Sequence, residues 1–67
     1  MAYNPWEVQE NLWKESCSWG SHQDKAFLVD NLSKRTRKSI LETLQDLEFA
    51  EQSGLLHTNA DGTVDIK

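Results

Sequence analysis

The sequence predicts a mainly α fold: a compact three-helix domain with a short C-terminal β-hairpin. Three observations carry this expectation. Ile40, Leu41, Leu44, Leu47 and Ala50 recur at three- and four-residue intervals, the period of a helix with one apolar stripe. After Gly54 the period falls to two: Val64 and Ile66 alternate with Thr63 and Asp65, behind the turn signal Asn59-Ala60-Asp61-Gly62. That is a hairpin with Asp-Gly at its tip. Near the start, Asn4, Pro5 and Glu7 combine an N-cap, a residue suited to the first helical position and the carboxylate of a capping box.

The first helix is expected from Asn4 through "WEVQENLWKESCSW" to a stop near Gly20. Trp6, Val8, Leu12 and Trp13 make its apolar stripe, with Glu7, Glu10 and Lys14 outside it. A second, shorter helix is expected in "SHQDKAFLVDNL", with Ser21 as N-cap, Asp24 three residues on and an exit at Asn31. Its Ala26, Phe27, Leu28, Val29 and Leu32 are dense enough for the helix to be largely buried. The third helix is expected from about Ser33 to about Ser53, with Gly54 just past its end. An alternative start is Ser39, where Glu42 completes a capping box and the preceding bases fall in an exposed loop.

Residues 1–67 make one small domain, near the size at which a single core is marginal. Apolar residues are 37% of the chain, and three Trp, two Phe and one Tyr carry much of the hydrophobic area. Assembly into an oligomer is one route to added stability. Cys17 is the one cysteine, so no intramolecular disulfide forms, which fits a reducing setting. No apolar run approaches the roughly 18 residues of a membrane span. The segment "MAYNPWEVQE" lacks the basic head and apolar stretch of a signal peptide. A cytoplasmic protein without membrane contact is expected.

Cys17, His22 and His57 do not make a zinc pattern, since Cys-x4-His is a poor spacing and a structural site needs four ligands. Neither His has an acid–base partner in sequence, and nothing positions a base or oxyanion site for Cys17. The three glycines stand at helix ends and a turn, not in a phosphate loop. No metal, no cofactor and no enzymatic activity are expected.

Charge is distributed unevenly. Net charge is −4, yet Lys34, Arg35, Arg37 and Lys38, four of the seven basic residues, fall within "SKRTRKSI". If the third helix starts at Ser33, these bases occupy its head and Glu42, Asp46, Glu48 and Glu51 its later turns. That order opposes the helix macrodipole, and only Lys38–Glu42, at i,i+4, offsets part of the cost. Three readings follow: a phosphate site at a helix start, an acidic partner surface, or a solvated helix end. The acidic tail of a second copy's helix would also serve, which makes an antiparallel, two-fold homodimer an expectation.

The segment "FLVDNLSKRTRKSILETLQDLEFAEQSGLL" with its Asp61-Gly62 turn resembles winged helix-turn-helix transcription regulators over roughly residues 26–66. Leu32-Ser33 is similar to the family's turn, and Thr36 to Ile40 to the head of its recognition helix. "LQDLE" resembles the exit, Gly54-Leu55-Leu56 the step into the first wing strand and Asp61-Gly62 the wing tip. Two departures stand out. Family members usually place about two residues between the Leu-Glu pair and the Gly, whereas Phe49 to Ser53 make five here; and the wing carries Asp61 and Asp65 but no Arg. The resemblance implies a DNA-binding regulator in which Lys34, Arg35, Thr36, Arg37 and Lys38 meet the major groove and its phosphates. A net charge of −4 counts against stand-alone affinity, and a dimer presenting two patches answers part of that.

Trp6 and Trp13 are one heptad apart, and Trp19 follows six residues later. They are expected either as a core stripe closing over the other helices or as an exposed aromatic surface for a partner protein. The sequence thus supports two functions: a small nucleic-acid-associated regulator, or a protein-binding module or inhibitor of the phage or mobile-element kind acting through its Trp-rich first helix and acidic surface.

Overall fold

A computed structural model describes residues 3–67; Met1 and Ala2, which enter the leader expectation, lie outside the described residues. The elements are α1 (Pro5–Trp19), β1 (His22–Asp24), α2 (Lys25–Thr36), α3 (Ile40–Gln52), β2 (Leu56–Thr58) and β3 (Thr63–Ile66). The strands form one antiparallel sheet in the order β1-β3-β2. Three helices with a C-terminal hairpin, joined at its edge by a strand inserted between α1 and α2, make a winged-helix-like domain.

α1 begins as its residues dictate. Asn4 Oδ1 accepts from the Glu7 amide at 3.2 Å, with Pro5 at the first helical position. The helix stops at Gly20, whose φ of 90° lies where a side chain would be strained. Ser21 does not cap a second helix. Residues 22–24 run extended instead, pairing His22 with Asp65, Gln23 with Val64 and Asp24 with Thr63. Gln23 is the reason: its buried amide Nε2 donates to the Gly20 carbonyl at 2.8 Å and the Glu15 carbonyl at 3.3 Å. Those bonds satisfy carbonyls at the end of α1.

The later start shifts everything behind it. α2 does not leave at Asn31; it runs on to Thr36 and ends on Arg37, in the left-handed region at φ 58°. The Arg37 and Lys38 amides both reach the Ser33 carbonyl and close the helix. The third helix therefore does not begin near Ser33. Ser39 is its N-cap: Ser39 Oγ accepts from the Glu42 amide at 3.1 Å and donates to Glu42 Oε1 at 3.4 Å. α3 closes with the Leu55 amide on the Ala50 carbonyl and the Gly54 amide on the Glu51 carbonyl, a Schellman arrangement around Gly54 at φ 80°.

The core is formed by Val8 and Leu12 of α1, Leu28, Val29 and Leu32 of α2, Leu47 and Ala50 of α3, and Leu56, Val64 and Ile66 of the sheet. Tyr3 packs on its margin with its ring 5.2 Å from that of Phe49. Trp6 and Trp13 are not core residues. At about 100° per residue they lie opposite Val8 and Leu12, and Glu15 takes the third inward position. Phe27 and Ala26 also face outward, as do Ile40, Leu41 and Leu44, because the inward stripe of α3 is Thr43, Leu47 and Ala50.

Full burial of an aliphatic side chain contributes about 1.5–3 kcal/mol, so this small core bears most of the stability. Leu28→Ala is expected to cost about 2–5 kcal/mol, and Trp6→Ala less than about 0.5 kcal/mol as an exposed substitution. Urea unfolding followed by circular dichroism measures both.

Candidate functional site

The five residues of the basic cluster do not share one element or one role. Lys34, Arg35 and Thr36 form the last turn of α2, Arg37 ends it and Lys38 lies in the connection to α3. Lys34 and Arg35 thus stand at a helix C-terminus, where the macrodipole favours cations, while Arg37 and Lys38 still precede α3 and Glu48 and Glu51 still occupy its later turns.

Most of these side chains are occupied within the fold. Lys34 Nζ lies 3.1 Å from Asp30 Oδ2, one turn back. Lys38 Nζ lies 2.9 Å from Asp46 Oδ2 rather than against Glu42, and the bond to Asp46 raises its ammonium above the ordinary lysine value. Thr36 Oγ1 donates to the Leu32 carbonyl at 2.8 Å. Arg37 is exposed and has no ion-pair or hydrogen-bond partner among the described residues.

Arg35 has a structural duty. Its Nε lies 3.2 Å from Oε1 of Glu15, a carboxylate whose residue is only 2% exposed. The other oxygen, Oε2, is buried with no hydrogen-bond partner among the described residues. A carboxylate in such a place depends on its one cation. Arg35→Ala is accordingly expected to lower stability by about 1–3 kcal/mol, less than for a fully buried pair because the guanidinium is partly solvated. Adding Glu15→Gln is expected to restore part of that loss, and Arg37→Ala to stay within about 0.5 kcal/mol. Denaturant unfolding of the three variants checks the ordering.

The sequence of α3, ILETLQDLEFAEQ, holds no Lys or Arg. Its outer side presents Ile40, Leu41, Leu44 and Glu48. Ile40 and Leu44 border an open apolar groove completed by Ala26 and Val29 of α2, with Asp24 and Lys25 on its rim and Gly62 at the hairpin tip. Sequence reasoning missed this surface. The available signal was a surplus of apolar residues in α3, more than one buried stripe requires.

The tryptophans form a second exposed surface. Trp6 is 79% exposed and Trp13 52%, both on the outer side of α1. Trp13 Nε1 reaches toward the Lys67 carbonyl at 3.4 Å, a long bond. Trp19, at 58% exposure, sits at the helix end edge-to-face with Phe27, their ring centroids 5.1 Å apart. It does not share the face of the other two.

The sheet holds a third polar group. His22 Nδ1 lies 2.7 Å from Asp65 Oδ1, and Asn59 Nδ2 donates to Asp65 Oδ2 at 3.0 Å. Asp61 Oδ1 accepts from both the hydroxyl and the amide of Thr63 and pins the turn. Hydrogen bonds hold both carboxyls below the ordinary value of 3.8, from Asn59 and then His22 for Asp65, and from Thr63 for Asp61. Cys17 is exposed, and no group of three or more His, Cys, Asp and Glu among the described residues is placed to hold a metal ion. No helix among them is long and apolar enough to cross a membrane.

Comparison with known proteins finds no matching family model, no matching curated protein and no matching solved structure.

A carboxyl held below its unfolded value stabilises the fold above that value, and the contribution is lost as pH falls through the lower native one. Acidification from near neutrality to below 3.8 is therefore expected to lower the melting temperature more in the native protein than in Asp65→Asn. Thermal melts of both across that range measure the difference.

Proposed function

We propose that the protein is a small non-enzymatic protein-binding module whose contact surface is the outer face of α1. The observation that carries this reading is the position of Trp6 and Trp13, one heptad apart and directed away from Val8 and Leu12. Exposed apolar patches on small domains mark interaction sites, and Trp is the residue most enriched among interface anchors. Glu7, Glu10 and Lys14 border the pair, so the rim is polar, as in most interfaces. Net charge of −4 favours a partner with a basic surface around an apolar pocket.

A second reading keeps a nucleic-acid partner, supported by the exposed Lys34 and Arg37 at the end of α2. In it, Lys34, Arg35, Thr36, Arg37 and Lys38 track phosphates. Base readout through α3 has little support, because the helix lacks cations and its exposed face is apolar and acidic. Arg35 and Lys38 would have to leave Glu15 and Asp46 to take part.

The two readings predict opposite results. With the native protein as bait, a captured protein is identified by mass spectrometry and its affinity measured by calorimetry. Replacing Trp6 and Trp13 by Ala is expected to weaken that affinity by at least about tenfold, as for interface anchors. Unchanged affinity removes α1 as the surface. In parallel, duplex DNA is titrated at low salt, where electrostatic affinity is greatest. Binding there that falls steeply with salt and is lost in Lys34→Ala/Arg37→Ala would favour the second reading instead.

A further inference from the structure

We infer that the exposed face of α3 is a homodimer interface, in which two copies pack this helix antiparallel about a two-fold axis. The face is built for it. Taking Leu44 as origin at about 100° per residue, Ile40, Leu41, Leu44, Glu48 and Glu51 fall within about 100° of arc. Thr43, Leu47 and Ala50 are buried and lie to one side of it, about 60–120° round the helix from Leu44. Glu42 and Asp46 lie off the face on its far side. The amino-terminal half of the face is therefore apolar and the carboxy-terminal half acidic.

Beside the apolar half lies the groove of Ala26, Val29, Ile40 and Leu44. Leu41, at 66% exposure, is the most exposed aliphatic residue on α3, and a second copy's Leu41 is a side chain of the right size and chemistry for that groove. Leu41 of each copy lies against Leu44 of the other, on either side of the axis. The arrangement is isologous: one patch covers itself.

Charge selects the antiparallel order and a second copy as occupant. Lys14, Lys34, Arg35 and Lys38 are each paired within the chain. Lys25, Arg37 and Lys67 have no acidic partner among the described residues, and the first two stand at the apolar end, Arg37 in the turn before α3 and Lys25 on the groove rim. At the opposite end, Glu48 has no partner among the described residues, while Glu51 accepts one bond from Thr58 Oγ1 at 3.0 Å and keeps Oε1 open. With the axis between Leu41 and Leu44, antiparallel packing sets position 41 against position 44 and position 37 against position 48. Arg37 of one copy then comes within side-chain reach of Glu48 and Glu51 of the other, twice per dimer. Parallel packing would set acid against acid.

Arg37 supplies an independent pointer. It occupies a left-handed position, φ 58°, where Gly is the unstrained choice and a side chain costs about 1–2 kcal/mol. A cation kept at a strained position with no partner in its own chain has its use outside the chain.

Sedimentation equilibrium over a range of concentrations tests the proposal, with circular dichroism to verify folding. The native protein is expected to dimerise reversibly and to dissociate as salt rises. Leu41→Glu is expected to raise the dimer Kd at least about tenfold; should it fail to fold, Leu41→Gln is read the same way. Arg37→Glu and Glu48→Arg are each expected to raise it about two- to tenfold. The double variant, in which charges meet again across the axis, is expected to return toward the native value. A native protein that stays monomeric at millimolar concentration overturns the proposal. So does a dimer indifferent to Leu41→Glu, or a double variant weaker than either single one.

Discussion

His22, Gln23 and Asp24 run extended beside β3, and that pairing decides where the helices on either side can lie. Gln23 is the pivot: its side-chain amide reaches back to carbonyls at the end of α1 while its backbone lies opposite Val64. Once these residues are committed to the sheet, α2 cannot begin before Lys25. Its apolar residues Leu28, Val29 and Leu32 then face the core, and it continues until Arg37 reverses the chain. α3 starts only at Ile40, where Ser39 can cap it. Position and charge of the α2–α3 turn thus follow from a three-residue strand at a distant edge.

The same geometry explains why a carboxylate is buried in α1. Val8, Leu12 and Glu15 occupy successive inward turns of α1, and at the third the neighbour is the last turn of α2, which brings Arg35. Isolated, the Glu15 charge would be costly to desolvate; paired, it fixes α1 against α2 in one relative position. A cation that looks available on the sequence is thereby part of the scaffold. Lys38 with Asp46 does similar work between the turn and α3, each with side chains about one-fifth exposed. Arg35 and Lys38 of the basic cluster are internal ties, whereas Lys34, in a surface pair with Asp30, and Arg37, with no partner among the described residues, stay exposed.

Surplus apolar side chains are the counterpart of that economy. Three helices and three short strands around one small core have room for ten buried apolar residues. Trp6 and Trp13 on α1, and Ile40, Leu41 and Leu44 on α3, remain outside. They fall on two separate helices and in two chemical settings. One is aromatic with a polar rim; the other is aliphatic, grooved and graded in charge from one end to the other. Two surfaces of different character on a domain this small are consistent with a module that joins a copy of itself on one side and another protein on the other.

The helical period in α3, the Asn4-Pro5 start, the Gly20 and Gly54 stops and the Asp61-Gly62 hairpin were legible in the sequence, because each depends on residues within a few positions of one another. Capping, left-handed stops and tight turns are local physics, and the residue types state them directly. The Ser39 cap was visible too, but as one of two candidate starts for α3, since "SKRTRKSI" suits a helix end as well as a helix head. Choosing between them required the sheet. The β1 strand was hidden because three residues with one buried polar side chain carry no alternation of their own; their reason for being extended is Val64, some forty positions away. The same holds for the tryptophans and for Arg35. Spacing places Trp6 and Trp13 on one face of a helix, but only the packing of α2 and the sheet decides which face is covered, and only the approach of α2 to α1 gives Glu15 its partner.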